Sequence, residues 1–164
     1  MNATDLERIW FRTQSREWRT LAIVPTDVET ADAALGMAKL LIMLGQQHEE
    51  KIGLADFRKI AGGRVSAFLQ MADWYVKTGE RLVCPTQAID ENPATVAVAR
   101  AADGVLLCVA LGHTRVRSVE DTIEQIGRER FIGTVIFRNG PAKPKTSEAL
   151  EVRRADAEAV ELHA

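Results

Sequence analysis

Apolar residues in this chain gather in five short runs rich in branched side chains: Thr20 to Val24, Lys51 to Ala55, Arg81 to Cys84, Gly104 to Ala110 and Phe131 to Phe137. Each has the length of a strand, and runs without polar alternation suit strands covered on both faces. The segments between them carry a helical period instead. Leu35, Ala38, Leu41 and Ile42 make one face before Gly45; Val65, Phe68, Leu69, Ala72, Tyr75 and Val76 make another before Gly79. Both glycines are expected as helix C-caps. Val116, Val119, Ile123 and Ile126 repeat at the same spacing, with Ser118 and Asp121 resembling an N-terminal cap and Gly127 a stop. Asn92-Pro93 predicts the start of a shorter helix reaching Ala101, because proline is pre-organised for the first helical turn. Ahead of the first strand, Leu6, Ile9, Trp10 and Thr13 form the stripe of an N-terminal helix that must pack on the sheet or on a partner.

Strand and helix therefore alternate, the rhythm of parallel strands joined by crossover helices. The expected architecture is a three-layer α/β/α sandwich around a mostly parallel, doubly wound sheet of at least five strands. Residues 1–17 are read as a helix and lead-in, 18–140 as the α/β domain, and 141–164 as a polar tail. The turn signal Arg138-Asn139-Gly140-Pro141 opens that tail, whose scarcity of large apolar residues predicts a frayed or disordered end. A short helix between Ser147 and Glu161 would need burial against a partner to persist.

Composition narrows the function classes. A chain of 164 residues, 46% hydrophobic and 27% charged, is the size and make-up of one globular domain. Its net charge of -2 and pI near 6.0 create no field for nucleic acid or anionic lipid, so neither is an expected partner. No run approaches the roughly 18 apolar residues of a membrane span, and Met1 to Arg12 is unlike a signal peptide. The expectation is a cytoplasmic protein with no direct membrane insertion. Cys84 and Cys108 each lie inside an apolar run and read as packed thiols rather than a disulfide.

In a doubly wound sheet, ligands bind outside the carboxyl ends of the strands. After the first run comes Pro25-Thr26-Asp27-Val28-Glu29-Thr30-Ala31, which lacks the glycines, the lysine and the magnesium-binding hydroxyl position of a phosphate-cradling loop. Asp27 and Glu29 at a helix N-terminus stabilise the helix by about 0.3–1 kcal/mol each and repel a phosphate. The third run ends in Cys84, where many nucleotide hydrolases place a magnesium aspartate. His48, His113 and His163 show no metal-ligand spacing, so no metal is expected. His113, in Leu111-Gly112-His113-Thr114-Arg115, falls on the functional rim, where a solvated loop residue is the simpler reading. No Gly-x-Ser-x-Gly elbow occurs, and Asp27, Asp56 and Asp90 read most simply as surface carboxylates.

Several segments nevertheless form a pattern. Phe11-Arg12-Thr13 precedes Trp18 to Val24; Ala34 to Leu41 is followed by Gly45; Asp56 and Arg58 follow the second run. Ala101 to Ala110, Thr114, the Val116 to Ile126 helix and Ile132 to Asn139 complete the order. Together these resemble a P-loop ATPase of the partitioning and septum-site type, most closely the cytosolic domain of bacterial tyrosine kinases that control capsule and exopolysaccharide export. In that resemblance Asn139 falls on an adenine-contacting asparagine, the P-loop lysine position near Thr30, the hydroxyl position near Ala31 and the magnesium aspartate near Cys84. The family's C-terminal tyrosine cluster has no counterpart, since Tyr75 is the single tyrosine.

The resemblance thus implies a pseudo-ATPase or pseudokinase: a non-catalytic interaction or regulatory subunit of polysaccharide biosynthesis or export, using no cofactor. Its implied partners are a membrane chain-length regulator or a sister ATPase, which would recruit it to the inner face of the membrane, and a second copy in a homodimer. Asp27, Asp56, Arg58, His113 and Asn139 would be remnants of a nucleotide pocket, and Trp10 and Trp18 candidate interface residues if exposed. Two alternatives stand beside this reading. One is a divergent nucleotide-binding ATPase or phosphotransferase built on Asp27, Asp56, Arg58 and Asn139, with Arg58 or Arg115 neutralising phosphate. The other is a cell-positioning or motility adaptor on the same scaffold.

Overall fold

All five apolar runs form strands in the computed structural model, which describes residues 3–59 and 64–138. The chain order is α1 (Ala3–Thr13), β1 (Thr20–Pro25), α2 (Ala31–Gln47), β2 (Ile52–Leu54), α3 (Val65–Lys77) and β3 (Arg81–Pro85). It continues with α4 (Ala94–Ala101), β4 (Gly104–Leu111), α5 (Val116–Ile126) and β5 (Phe131–Arg138). The strands make one five-stranded sheet in the order β2-β3-β1-β4-β5, and every neighbouring pair is parallel. Asn139 and the predicted tail 141–164 lie outside the described residues.

Right-handed crossovers dictate the layers. The chain leaves β1 in one direction to reach β2, then works back through β3 and past β1 to β4 and β5, so the connecting helices divide between the two faces. Alternation along β1 sends Leu21 and Ile23 toward Ala34, Met37, Ala38 and Leu41 of α2, and Ala22 and Val24 toward Ala99, Ala102 and Ile126 of the other layer. Leu82 and Cys84 of β3 join that second layer, against Ala72 and Val98. The result is the expected α/β/α arrangement, with α1 and α2 on one face and α3, α4 and α5 on the other.

The two cysteines fall on opposite faces, Cys84 under α3 and α4 and Cys108 under α2. Burial pushes each thiol up to about 12, so both stay protonated and inert.

Three local expectations need correction. Gly45 does not end α2; the helix runs on to Gln47, and a Cβ at Gly45 would come within 2.5 Å of Ile52 Cδ1. The glycine is there for a close approach of α2 to β2, a tertiary reason that a capping pattern does not reveal. Ser118 is not the cap of α5. The helix starts at Val116, Arg115 precedes it in extended conformation, and the Ser118 N–H already donates to Arg115 O at 3.0 Å. The turn at Gly112, with φ of 82°, takes the chain off β4 early enough for the helix to begin before the Ser118–Asp121 pair. Gly79 and Gly127, by contrast, sit past the ends of α3 and α5 with φ of 84° and 105°, as predicted.

The third correction concerns Trp10 and Trp18, whose side chains are 4% and 2% exposed and offer no interface. Trp10 stacks on the His48 ring at 5.0 Å between centroids, and Phe11 meets the same ring edge-on at 5.9 Å. Trp18 Nε1 donates to Thr13 O at 3.1 Å, and the Arg81 guanidinium lies 4.9 Å over its indole. The indoles fasten α1 to the β1 side of the core, because their large apolar area is stabilising only when removed from water. Trp18→Ala should therefore lower unfolding free energy by about 3–5 kcal/mol, read from urea denaturation. A loss below about 1 kcal/mol would contradict this anchoring role.

Candidate functional site

The strand order reverses its direction beside β1, which places a crevice at the carboxyl ends of β1, β3 and β4. There the chain passes from Pro25 through Thr26 and Asp27 into a single 3₁₀ turn, Val28–Thr30, that leads into α2. Asp27 is extended, with φ of -157°, and makes a reciprocal capping box with Thr30. The Thr30 N–H donates to Asp27 Oδ1 at 2.9 Å, the Asp27 N–H donates to Thr30 Oγ1 at 3.2 Å, and the Thr30 hydroxyl donates to Asp27 O at 2.9 Å.

The other carboxylate oxygen reaches across the sheet. Thr114 Oγ1 donates to Asp27 Oδ2 at 2.6 Å while accepting the Ala110 N–H at 2.9 Å. Thr26 Oγ1 lies 3.0 Å from Cys108 O and 3.2 Å from Thr114 Oγ1. Asp27 thus ties the β1 exit, the start of α2 and the β4 exit into one polar knot. Burial works to raise its pKa, but the hydrogen bonds from Thr114, Thr30 and Thr26 outweigh it and hold the carboxyl below the usual range. No glycine lies between Pro25 and Ala31, and no residue there has positive φ. The Thr30 N–H at this turn consequently serves a tethered carboxylate, and the Asp27 N–H serves the Thr30 hydroxyl.

On the β2 side, Arg58 grips Asp56 through Nε and Nη2, each at 3.0 Å, and its Nη1 reaches Asp32 in the first turn of α2 at 3.2 Å. The Arg58 N–H adds a 3.1 Å bond to Asp56 Oδ1. The Arg58 hydrogen bonds lower the Asp56 pKa despite partial burial, and the same pairing raises that of Arg58. Both groups are fully ionised and mutually satisfied. His113 stands half-exposed with Nδ1 3.6 Å from Glu29 Oε2, a contact that attracts only when the imidazole is protonated.

The sequence-derived candidates therefore fall into three separate groups around the N-terminus of α2: Asp27 with the threonines, Asp56 with Arg58, and His113 with Glu29. No hydrogen bond or ion pair joins Asp27 to Asp56 among the described residues, and Asp90 lies exposed in the turn after β3. Asn139 lies outside the described residues. Thr26 and Asp32 carry no sequence signal of their own, whereas Asp27 and Thr30 stand at capping-box spacing. Among the described residues, no three His, Cys, Asp or Glu side chains are placed to hold a metal ion. No described helix is long and apolar enough to cross a membrane.

Asp27→Ala removes the cap and the tie to Thr114, and should cost about 1–2 kcal/mol at pH 7 by denaturant unfolding. Folding lowers the Asp27 pKa, so its stabilisation is complete above the ordinary aspartate value of ~3.9 and is lost as pH falls through the lower folded value. The stabilities of the parent and the variant should converge in acid; a gap unchanged between pH 7 and pH 2 would refute the assignment.

No protein-family model matches this sequence, and no curated protein matches it either. Solved structures do share the fold. The kinase domain of Escherichia coli tyrosine kinase ETK superposes with a TM-score of 0.63 at 12% identity, over 85% of this chain and 76% of that one. The chimerical protein CapA2B2 superposes with a TM-score of 0.62 at 10% identity, over 83% of this chain and 82% of that one. At such identities the likeness is one of architecture: the chain folds like a bacterial tyrosine kinase domain.

Proposed function

We propose that this chain is a kinase-like scaffold that works by protein contact rather than by phosphoryl transfer, as a pseudo-ATPase or pseudokinase of polysaccharide biosynthesis or export. The Asp27 capping box is the observation that carries the reading. A nucleotide site on this fold needs the N–H groups at the start of α2 open to an anion. Here the Asp27 carboxylate takes the Thr30 N–H and stands at the turn that leads into α2, so a phosphate would meet a negative charge in place of a cradle.

The remaining chemical positions support the same conclusion. Phosphoryl transfer is driven by cations that neutralise charge on the transferring group. Arg58 reaches the first turn of α2; Asp56 engages its Nε and Nη2, and Asp32 its Nη1. The Thr30 hydroxyl is committed to the Asp27 carbonyl, and Cys84 is a buried neutral thiol where the resemblance would put a magnesium ligand. The pathway comes from the sequence resemblance to kinases of capsule and exopolysaccharide export. A membrane chain-length regulator or a sister ATPase is the partner this implies, with recruitment to the membrane through that partner.

Calorimetric titration of the full chain with ATP and ADP, with and without magnesium, tests the reading. The expected outcome is no heat to millimolar nucleotide and no change in Tm. A ligand at a hundred times its Kd would stabilise the fold by about 2.7 kcal/mol, a readily seen shift. Saturable, magnesium-dependent binding would overturn the proposal and make Asp27, Asp56 and Arg58 parts of a divergent nucleotide site.

A further inference from the structure

The two edges of the sheet are unlike. β2 has three residues, a length that offers little to an added strand, whereas β5 has eight and is hydrogen-bonded on its β4 side alone among the described residues. From Phe131 to Phe137 the strand contains no proline and no charged residue, the devices that usually blunt an exposed edge. A bulge near Ile132 is the single irregularity, and it lies at the start of the strand.

The two faces beside this edge differ in chemistry. Val135 and Phe137 pack toward α2. On that face a groove of about 290 Å³ runs between α1 and β5, walled by Ile9, Leu106 and Val135 and bordered by Arg8 and Arg12. These arginines stand one turn apart on α1, both exposed, and neither has a carboxylate partner among the described residues. Like charges at this spacing repel, and the pair gives the groove a cationic margin. Ile136, between Val135 and Phe137, must point to the opposite face. It is 62% exposed there, on the face that also carries Leu111, itself 54% exposed.

We propose that β5 is a docking edge for an extended segment of a protein partner in which acidic and apolar residues alternate. Added as a sixth strand, such a segment turns its carboxylates toward Arg8 and Arg12 and its apolar side chains toward Ile136 and Leu111, while its backbone satisfies the open edge. Charge complementarity selects this occupant over a second copy of the chain. Residues 131–138 contain no acidic side chain, so a second β5 edge brings no carboxylate of its own to Arg8 and Arg12. The proposal deepens the contact-scaffold reading, on which its biological sense rests. Nucleotide does not enter its test, so the two can fail separately.

The test uses the full chain and two synthetic peptides of about ten residues, one alternating Glu and Val and the other Lys and Val. Fluorescence anisotropy reads binding, and amide hydrogen exchange reads protection of residues 131–138. In the chain alone, the outward amides of β5 should exchange freely; the Glu–Val peptide should bind and slow them by about tenfold or more. The double variant Arg8→Glu, Arg12→Glu should weaken that binding about tenfold with Tm unchanged, because both side chains are exposed. Four outcomes would overturn the proposal: no binding of the Glu–Val peptide, equal binding of the Lys–Val peptide, indifference to the double variant, or an edge already protected in the chain alone. The last would assign the edge to the chain's own residues or to a second copy.

Discussion

Parallel strand pairing is the constraint from which the rest of this molecule follows. Two parallel neighbours cannot be joined by a tight turn, so each strand must be followed by a crossover long enough to return the chain to the same end of the sheet. Here those crossovers are helices, and their fixed handedness distributes them over both faces of β2-β3-β1-β4-β5. The central strand β1 is thereby buried on both sides, which is why Leu21, Ala22, Ile23 and Val24 form an unbroken apolar run. It also gathers every strand exit at one rim, where any chemistry of the fold would have to be built.

At that rim, a single choice between two uses of a helix N-terminus sets the character of the site. The turn that leads into α2 can present its N–H groups to an external anion or hold a carboxylate of its own, and here the Asp27 carboxylate accepts the Thr30 N–H. Thr114 locks the remaining oxygen of Asp27 to the β4 exit at 2.6 Å. Arg58, on the other flank of α2, is likewise satisfied internally by Asp56 and Asp32. Polar groups at this rim fasten the ends of β1, β2 and β4 to the N-terminus of one helix. Likeness to a tyrosine kinase domain is here a likeness of fold, and chemistry is set by the residues at the rim.

The periphery shows a complementary asymmetry. The same packing that buries Trp10 and Trp18 between α1, His48 and Arg81 leaves Arg8 and Arg12, on the flank of α1 beside β5, without an ion pair among the described residues. β5 has a groove bordered by arginines on one face, exposed aliphatic side chains on the other and, among the described residues, no strand paired along its outer rim. The opposite edge, β2, is too short to offer as much.

Much of this was legible in the sequence because it depends on local periodicity. Branched apolar runs placed all five strands to within a residue or two, helical spacing placed the helices, and Gly79 and Gly127 stood where a left-handed residue was needed. The loop between Pro25 and Ala31 already announced that it lacked the residues of a phosphate cradle. Tertiary structure alone decided the matters that turn on which distant segments meet. It made Gly45 a point of contact with Ile52 instead of a helix stop, drew Trp10 and Trp18 inside, and joined Thr114 to Asp27 and Asp32 to Arg58. A residue's period along the chain records which face it occupies, whereas the partner across that face is set by strand order and helix approach, which no single stretch of sequence contains.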